Sequence, residues 1–188
     1  MARQKQYIES EVIEKAMNLF WRNGYETTSV RMLEKEMGIN QFSMYASFGN
    51  KKGVFIESIK CYQKKARVEL IEKLKNASNG TDDIKQYFYD FIAFSKELNS
   101  NKGCLLTNTI NELGEHADKK IVSEILEFAT KVRASFVKKL KLDSSKSTET
   151  IEQQANYLMV ALQGLSVASK MFQPKQLEDF INGTFTNL

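Results

Sequence analysis

TTSVRMLEKEMGINQFSMY, residues 27–45, decides the fold. Val30, Leu33 and Met37 recur at helical spacing, so one face of a short helix turns inward. Either Thr28 or Ser29 supplies the hydroxyl that caps its first turn. No Glu or Gln stands three positions after either, so a full capping box is absent. Gly38 accepts the positive φ that stops the helix. Asn40 then caps a second short helix, from Gln41 to about Ala46. Two short helices joined by a glycine-containing turn spell a helix-turn-helix. The second presents Gln41, Ser43 and Tyr45, side chains whose length and polarity suit reading of a major groove. Taken alone, the same pattern fits an αα-hairpin of any helical bundle.

The flanks carry more. AMNLFWRNGYETTSV precedes and MYASFGNKKGVF follows. Ala16, Leu19, Phe20, Gly24, Tyr25, Thr27, Thr28, Ser29, Val30, Gly38, Tyr45, Phe48, Lys51 and Phe55 together resemble the N-terminal signature of TetR-family transcriptional regulators. The resemblance covers the first quarter to third of the chain. It implies a homodimer whose paired recognition helices enter successive major grooves of a roughly palindromic double-stranded DNA operator. By that resemblance Gln41 and Arg31 read base edges, Ser43 assists, and Phe42 touches a thymine methyl. Thr28, Tyr45, Ser47 and Lys51 fix the register through phosphates, and Met44 packs inward.

Composition agrees with a soluble, helical chain. Of 188 residues, 42% are hydrophobic and 27% charged, with one proline and nine glycines, so long uninterrupted helices are expected. Sustained period-two alternation is missing, which argues against strands. The net charge is +4, and residues 1–80 hold 14 Lys/Arg against 9 Asp/Glu. The basic excess therefore falls on the segment where phosphate contacts would be made, or forms a plain solvated face. No apolar run reaches membrane-spanning length, and residues 1–13 lack the apolar core of a signal peptide. A cytoplasmic location is expected, with no membrane partner and with Cys61 and Cys104 as thiols. Two cysteines and a single His116 do not make a zinc site, so neither metal nor cofactor is expected. With no phosphate-cradling glycine loop and no nucleophile elbow, an enzyme is the poorest reading.

In chain order, residues 3–6 read as a short basic arm or a plain terminus. A first helix runs from about Glu9 to Asn23, with Ile8, Val12, Ala16, Leu19 and Phe20 on one face. Tyr25 packs under the helix-turn-helix. Asn50 caps a fourth helix reaching about Lys75, longer than a three-helix module needs and therefore a lever to a second domain. Asn- and Ser-rich breaks at residues 76–82 and 99–103 frame a fifth helix bearing Ile84, Tyr87, Phe88, Phe91 and Ile92. That aromatic stripe is core or, as the resemblance implies, the lining of an apolar effector pocket with Cys104, Phe128 and Leu162.

The run GCLLTNTINELGE opens a sixth helix and resembles a motif found in an AcrR-like subset of the family. Cys104 in its first turn is either a thiol sensor of electrophiles or oxidants, favoured by the helix N-terminus, or a small residue filling a crowded start. Lys170 is a possible cationic neighbour. A seventh helix spans about Lys119 to Leu142, its KKLK end meeting the negative end of the dipole. An eighth, capped by Ser147 or Thr148, carries Ile151, Ala155, Leu158, Leu162 and Leu165 on one line and Ala161, Gly164 and Ala168 on another. A ninth starts at Pro174 and presents Leu177, Phe180, Ile181 and Phe185. These last two helices form the dimer contact implied by the resemblance, or pack as monomer core.

The expected architecture is all-α, with about nine helices. Residues 1–50 form a three-helix DNA-binding head, residues 51–75 a connecting helix, and residues 76–188 a bundle for ligand sensing and dimerisation. The expected function is a repressor released by an apolar or electrophilic effector. A thiol sensor acting through Cys104 and a helical adaptor without DNA are the alternatives.

Overall fold

The computed structural model describes residues 7–97, 100–186 and 188; the basic arm at residues 3–6 lies outside them. Three short helices come first: α1 (Glu9–Asn23), α2 (Val30–Met37) and α3 (Gln41–Phe48). The rod α4 follows as one continuous element: α-helical Lys51–Ala66, a π-helical turn Arg67–Ile71, and α-helical Glu72–Asn76. Then come α5 (Thr81–Phe94), α6 (Leu105–Leu113), a 3₁₀ turn Gly114–His116, α7 (Lys119–Leu140), α8 (Thr148–Ala168) and α9 (Pro174–Phe185). Among the described residues the fold is all-α except for a small antiparallel ladder, β1 (Lys96–Glu97) with β2 (Ser100–Asn101), in a stretch expected to be plain loop.

Local chemistry explains the boundaries. Ser29, not Thr28, caps α2, its hydroxyl accepting from the Met32 amide at 3.2 Å, and Gly38 ends the helix at φ 71°. Asn40 caps α3 through the Ser43 amide at 2.8 Å, and Asn50 caps α4 through the Gly53 amide at 2.9 Å. Ser147 caps α8. Pro174 opens α9, where Gln173 and Gln176 form a reciprocal capping box. Ile8, expected on the buried face of α1, is its N-cap residue and is 59% exposed. The first buried positions are Val12 and Ile13.

The three short helices bury Met17, Phe20, Leu33, Met37 and Met44 against Phe55 and Ile59 of α4. Phe20 meets Phe55 edge-on at 4.8 Å, and Tyr25 lies 4.7 Å from the same ring. Each such side chain contributes about 1.5–3 kcal/mol by leaving water. The remaining helices enclose a second apolar region in which Phe88 of α5 lies between Phe136 of α7 and Phe185 of α9.

An ion pair locks one corner of it. Lys139, in the KKLK run expected to meet the negative end of the α7 dipole, is buried. Its ammonium lies 3.0 Å from Asp83 Oδ2 and donates to the Ala77 carbonyl; Asp83 also accepts from the Asn79 amide. The turn between α4 and α5 is thereby fastened to the end of α7. No described helix is long and apolar enough to cross a membrane.

Candidate nucleic-acid interface and effector cavity

Two turns long, α3 buries only Met44. Gln41 and Phe42 are exposed, Phe42 at 83%, and Ser43, Tyr45 and Ser47 are half-buried. The helix is held at three points. Glu34 of α2 accepts from the Gln41 amide at 2.6 Å. Tyr7 donates its hydroxyl to the Ser43 carbonyl at 3.0 Å and lies 2.8 Å from Ser47 Oγ. Sequence reading missed Tyr7, which stands ahead of the apolar periodicity of α1. Arg31 is exposed on α2. The result is a rigid helix presenting a polar edge and one phenyl ring to solvent.

Two of the proposed phosphate ligands are placed differently. Thr28 is fully buried, and its hydroxyl donates to the Gly24 carbonyl at 2.6 Å, so it braces the turn after α1 rather than facing outward. The Lys51 ammonium folds back to the Glu26 carbonyl at 3.4 Å and sits 4.5 Å from the centre of the Tyr25 ring. It stays near the surface, but it is partly engaged.

Behind the head lies a cavity of about 600 Å³ lined by α4, α5, α6, α7 and α8 and open to solvent beside the exposed Leu126, Val160 and Val167. Tyr87, Phe91, Cys104, Phe128 and Leu162 line it, as does Tyr62 of α4. Phe88 does not. One residue beyond Tyr87 on the helix, it points about 100° away, into the contact with Phe136 and Phe185. Burial pushes the Tyr62 and Tyr87 hydroxyls well above their ordinary range, so both remain protonated donors.

Cys104 is the N-cap residue of α6 rather than part of its first turn, with an extended backbone. Its thiol accepts from the Tyr62 hydroxyl at 3.3 Å, and its amide donates to Ser166 Oγ at 2.9 Å. The start of α6 therefore presses on α8: a Cβ on Gly103, which sits at φ +65°, would come within 2.8 Å of the Ser166 carbonyl oxygen. Lys170 turns to Asn108 Oδ1 at 3.3 Å.

The same helix touches the head. The Glu112 carboxylate accepts from the Tyr25 and Glu26 amides, both at 2.8 Å. Trp21 donates to the Gly103 carbonyl at 3.0 Å, and Lys102 stacks over the indole at 4.2 Å. Lys52 of α4 pairs with Asp118, the N-cap residue of α7, at 2.8 Å, which holds the Asp118 carboxyl below its usual range. A helix lining the cavity is thus hydrogen-bonded to the loop that leads into α2.

Residues 12–57 match the model of the bacterial regulatory proteins of the tetR family. Over 116 residues, 62% of this chain and 60% of its relative, the sequence is 26% identical to YezE, an HTH-type transcriptional regulator of Bacillus subtilis (strain 168). It is 24% identical over 156 residues to the biofilm operon icaADBC negative regulator IcaR of Staphylococcus aureus, covering 83% of this chain and 81% of IcaR. A cysteine mutant of the TetR family regulator CifR, solved with a 26-base-pair operator, shares the fold with a TM-score of 0.84 at 21% identity over 98% of both chains. Reduced NemR of E. coli does so with a TM-score of 0.81 at 18% identity, over 95% of this chain and 94% of its own. With the head matched by the family model and related sequence running on well beyond it, the chain is similar to the tetR-family transcriptional regulators.

Proposed function

We propose that this regulator represses by binding a palindromic operator as a cytoplasmic homodimer, and that an apolar small molecule in the 600 Å³ cavity releases it. One observation carries the reading: α3 is pinned on its inner side by Glu34 and Tyr7 while Gln41 and Phe42 stand free on its outer edge. A helix without a partner to meet gains nothing from leaving a phenyl ring in water. The operator bound by CifR and the negative regulation named for IcaR support the same assignment here.

In this reading residues 1–50 meet DNA, residues 51–75 connect, and residues 76–188 sense and dimerise. Gln41 and Arg31 read bases with help from Ser43, Phe42 meets a thymine methyl, and Ser47, Tyr45 and Lys51 contact phosphates. Dimerisation uses the exposed faces of α8 and α9, where Val160 is 72% exposed and Tyr157, Val167, Met171 and Phe180 are also exposed, Val160 and Val167 at the open side of the cavity. A ligand that moves α6 pulls on Glu112, and through it on the loop before α2, so the two heads change their spacing. The ligand then weakens DNA binding by the same free energy by which DNA weakens the ligand.

Gln41→Ala is expected to cost about 1–3 kcal/mol at one base-pair position, roughly a tenfold to hundredfold relaxation of preference there. Ser47→Ala should weaken all sequences alike. Binding measured against single-base-pair operator variants separates the two; a uniform loss in Gln41→Ala would remove the base-reading role. If operator affinity were insensitive to salt, the helical adaptor without DNA contacts would be the better account.

A second reading rests on the Cys104 thiol, which faces the cavity and accepts from Tyr62. Chemical sensing at that sulfur, as expected of the GCLL-bearing, AcrR-like subset, predicts that Cys104→Ser abolishes release by electrophiles. It should leave operator affinity within about twofold, since the residue is remote from α3. Release that persists in the serine variant leaves reversible ligand binding as the mechanism.

A further inference from the structure

A second concavity, of about 800 Å³, lies outside the cavity, between α4 and α7. Its rim holds Lys60, Lys64 and Arg67 of α4, spaced so that all three share one helical face. Lys131 and Lys138 stand across from them on α7, and Lys75 and the buried Lys139 complete the lining. No carboxylate lines the groove. The acids that pair with its cations, Glu57, Glu72, Glu127 and Asp83, all stand outside it. Lys64 and Lys138 form no ion pair among the described residues. Lys64 and Lys138 thus stand on facing walls with no acid between them, and the groove keeps a positive excess that an anion would relieve.

The floor is of another character: Ile71, Leu74 and Phe128. A simple inorganic anion would leave those surfaces wet, and the volume falls within the range that accommodates organic ligands. The floor also meets the π-helical turn of α4. Arg67 and Ile71 of that turn face the groove, while Ala66 and Leu70 face the cavity on its other side. Phe128 lines both spaces. Such wide turns inside α-helices occur often at functional sites.

We propose that this groove binds a free amphipathic anion, a single-chain organic phosphate or carboxylate. Its head lies among Lys64, Arg67 and Lys138, and its tail on Ile71, Leu74 and Phe128. Bound there, it bridges α4 and α7 and bears on the wall of the cavity, so it acts from outside the effector site. The assignment stands apart from operator binding, and either can fail without the other.

The test is calorimetric titration of the full chain with decyl phosphate below its micellar concentration. Decanol and inorganic phosphate serve as separate tail and head controls. Decyl phosphate is expected to bind at least tenfold tighter than either. Lys64→Glu combined with Lys138→Glu should weaken it at least tenfold while leaving the melting curve and operator affinity unchanged. Leu162→Trp, which fills the inner cavity, should leave it unaltered. Absence of binding, equal binding of decanol, equal binding of inorganic phosphate, indifference to the charge reversals, or loss in a folded Leu162→Trp variant would each overturn the proposal. So would capture by phosphatidylglycerol vesicles without binding of the monomer, which would make the groove a membrane-facing surface.

Discussion

Asp83→Ala is expected to lower the unfolding free energy by about 3–5 kcal/mol, because it strands the Lys139 ammonium in the interior without a counter-charge. Both side chains are 5% exposed, so solvent does little to screen the loss. The Asn79 amide loses its acceptor in the same step. For a chain of this size the midpoint of thermal unfolding should fall by roughly 10 °C. Removing both charges is a different experiment. Asp83→Leu with Lys139→Met takes away the ion and its counter-ion together, and its cost should be well below that of the single variant. Urea unfolding followed by circular dichroism, on the single and paired variants, measures the difference. A single-variant loss under about 1 kcal/mol would mean that Lys139 finds water when Asp83 is gone.

Val160→Glu should have the largest effect on function. Val160 is exposed on α8 at the open side of the cavity, in a patch continued by Val167 and Met171. If that face meets its symmetry mate, one substitution introduces two carboxylates into an apolar contact, each costing several kcal/mol unless paired. The chain should then sediment as a monomer with an unchanged helical spectrum. Operator affinity should fall by about 10²–10⁴, the advantage that linking two half-site contacts confers. Analytical ultracentrifugation and a gel-shift titration read the two outcomes. A variant that stays dimeric would move the interface elsewhere on the surface.

Much of this architecture was legible because its signals are local. Ser29, Asn40, Asn50 and Ser147 cap helices within three residues of themselves, and Pro174 and Gly38 mark ends by their own backbone restrictions. What sequence could not supply was pairing across long separations. Nothing near Asp83 or Lys139 in the chain indicates the other. Tyr62 and Cys104, 42 positions apart, meet only once α4 and α6 are packed. Glu112 gave no hint that it would accept from amides 86 and 87 residues away. Thr28 was misplaced for a related reason. A hydroxyl beside a helix start suits a cap or an outward contact equally, and only the course of the preceding turn directs it to the Gly24 carbonyl. Within the aromatic stripe of α5, Tyr87 and Phe88 are alike in composition, and the neighbours of each decide which ring meets the cavity.

The wide turn of α4 has a geometric consequence for how the head is aimed. Leu74 follows Phe55 by nineteen positions, and at about 100° per residue a regular helix would leave the two side chains a little over a quarter-turn apart. The five-residue turn at Arg67–Ile71 takes up one surplus residue without rotating what lies beyond it, so both side chains return to the same azimuth and both are buried. Shortening the chain by one residue at Val68, which is 57% exposed, would let the rod run straight with its two ends still in phase. A one-residue deletion a few positions earlier, in the regular part of the rod, would instead twist the DNA-facing end relative to the rest of the molecule.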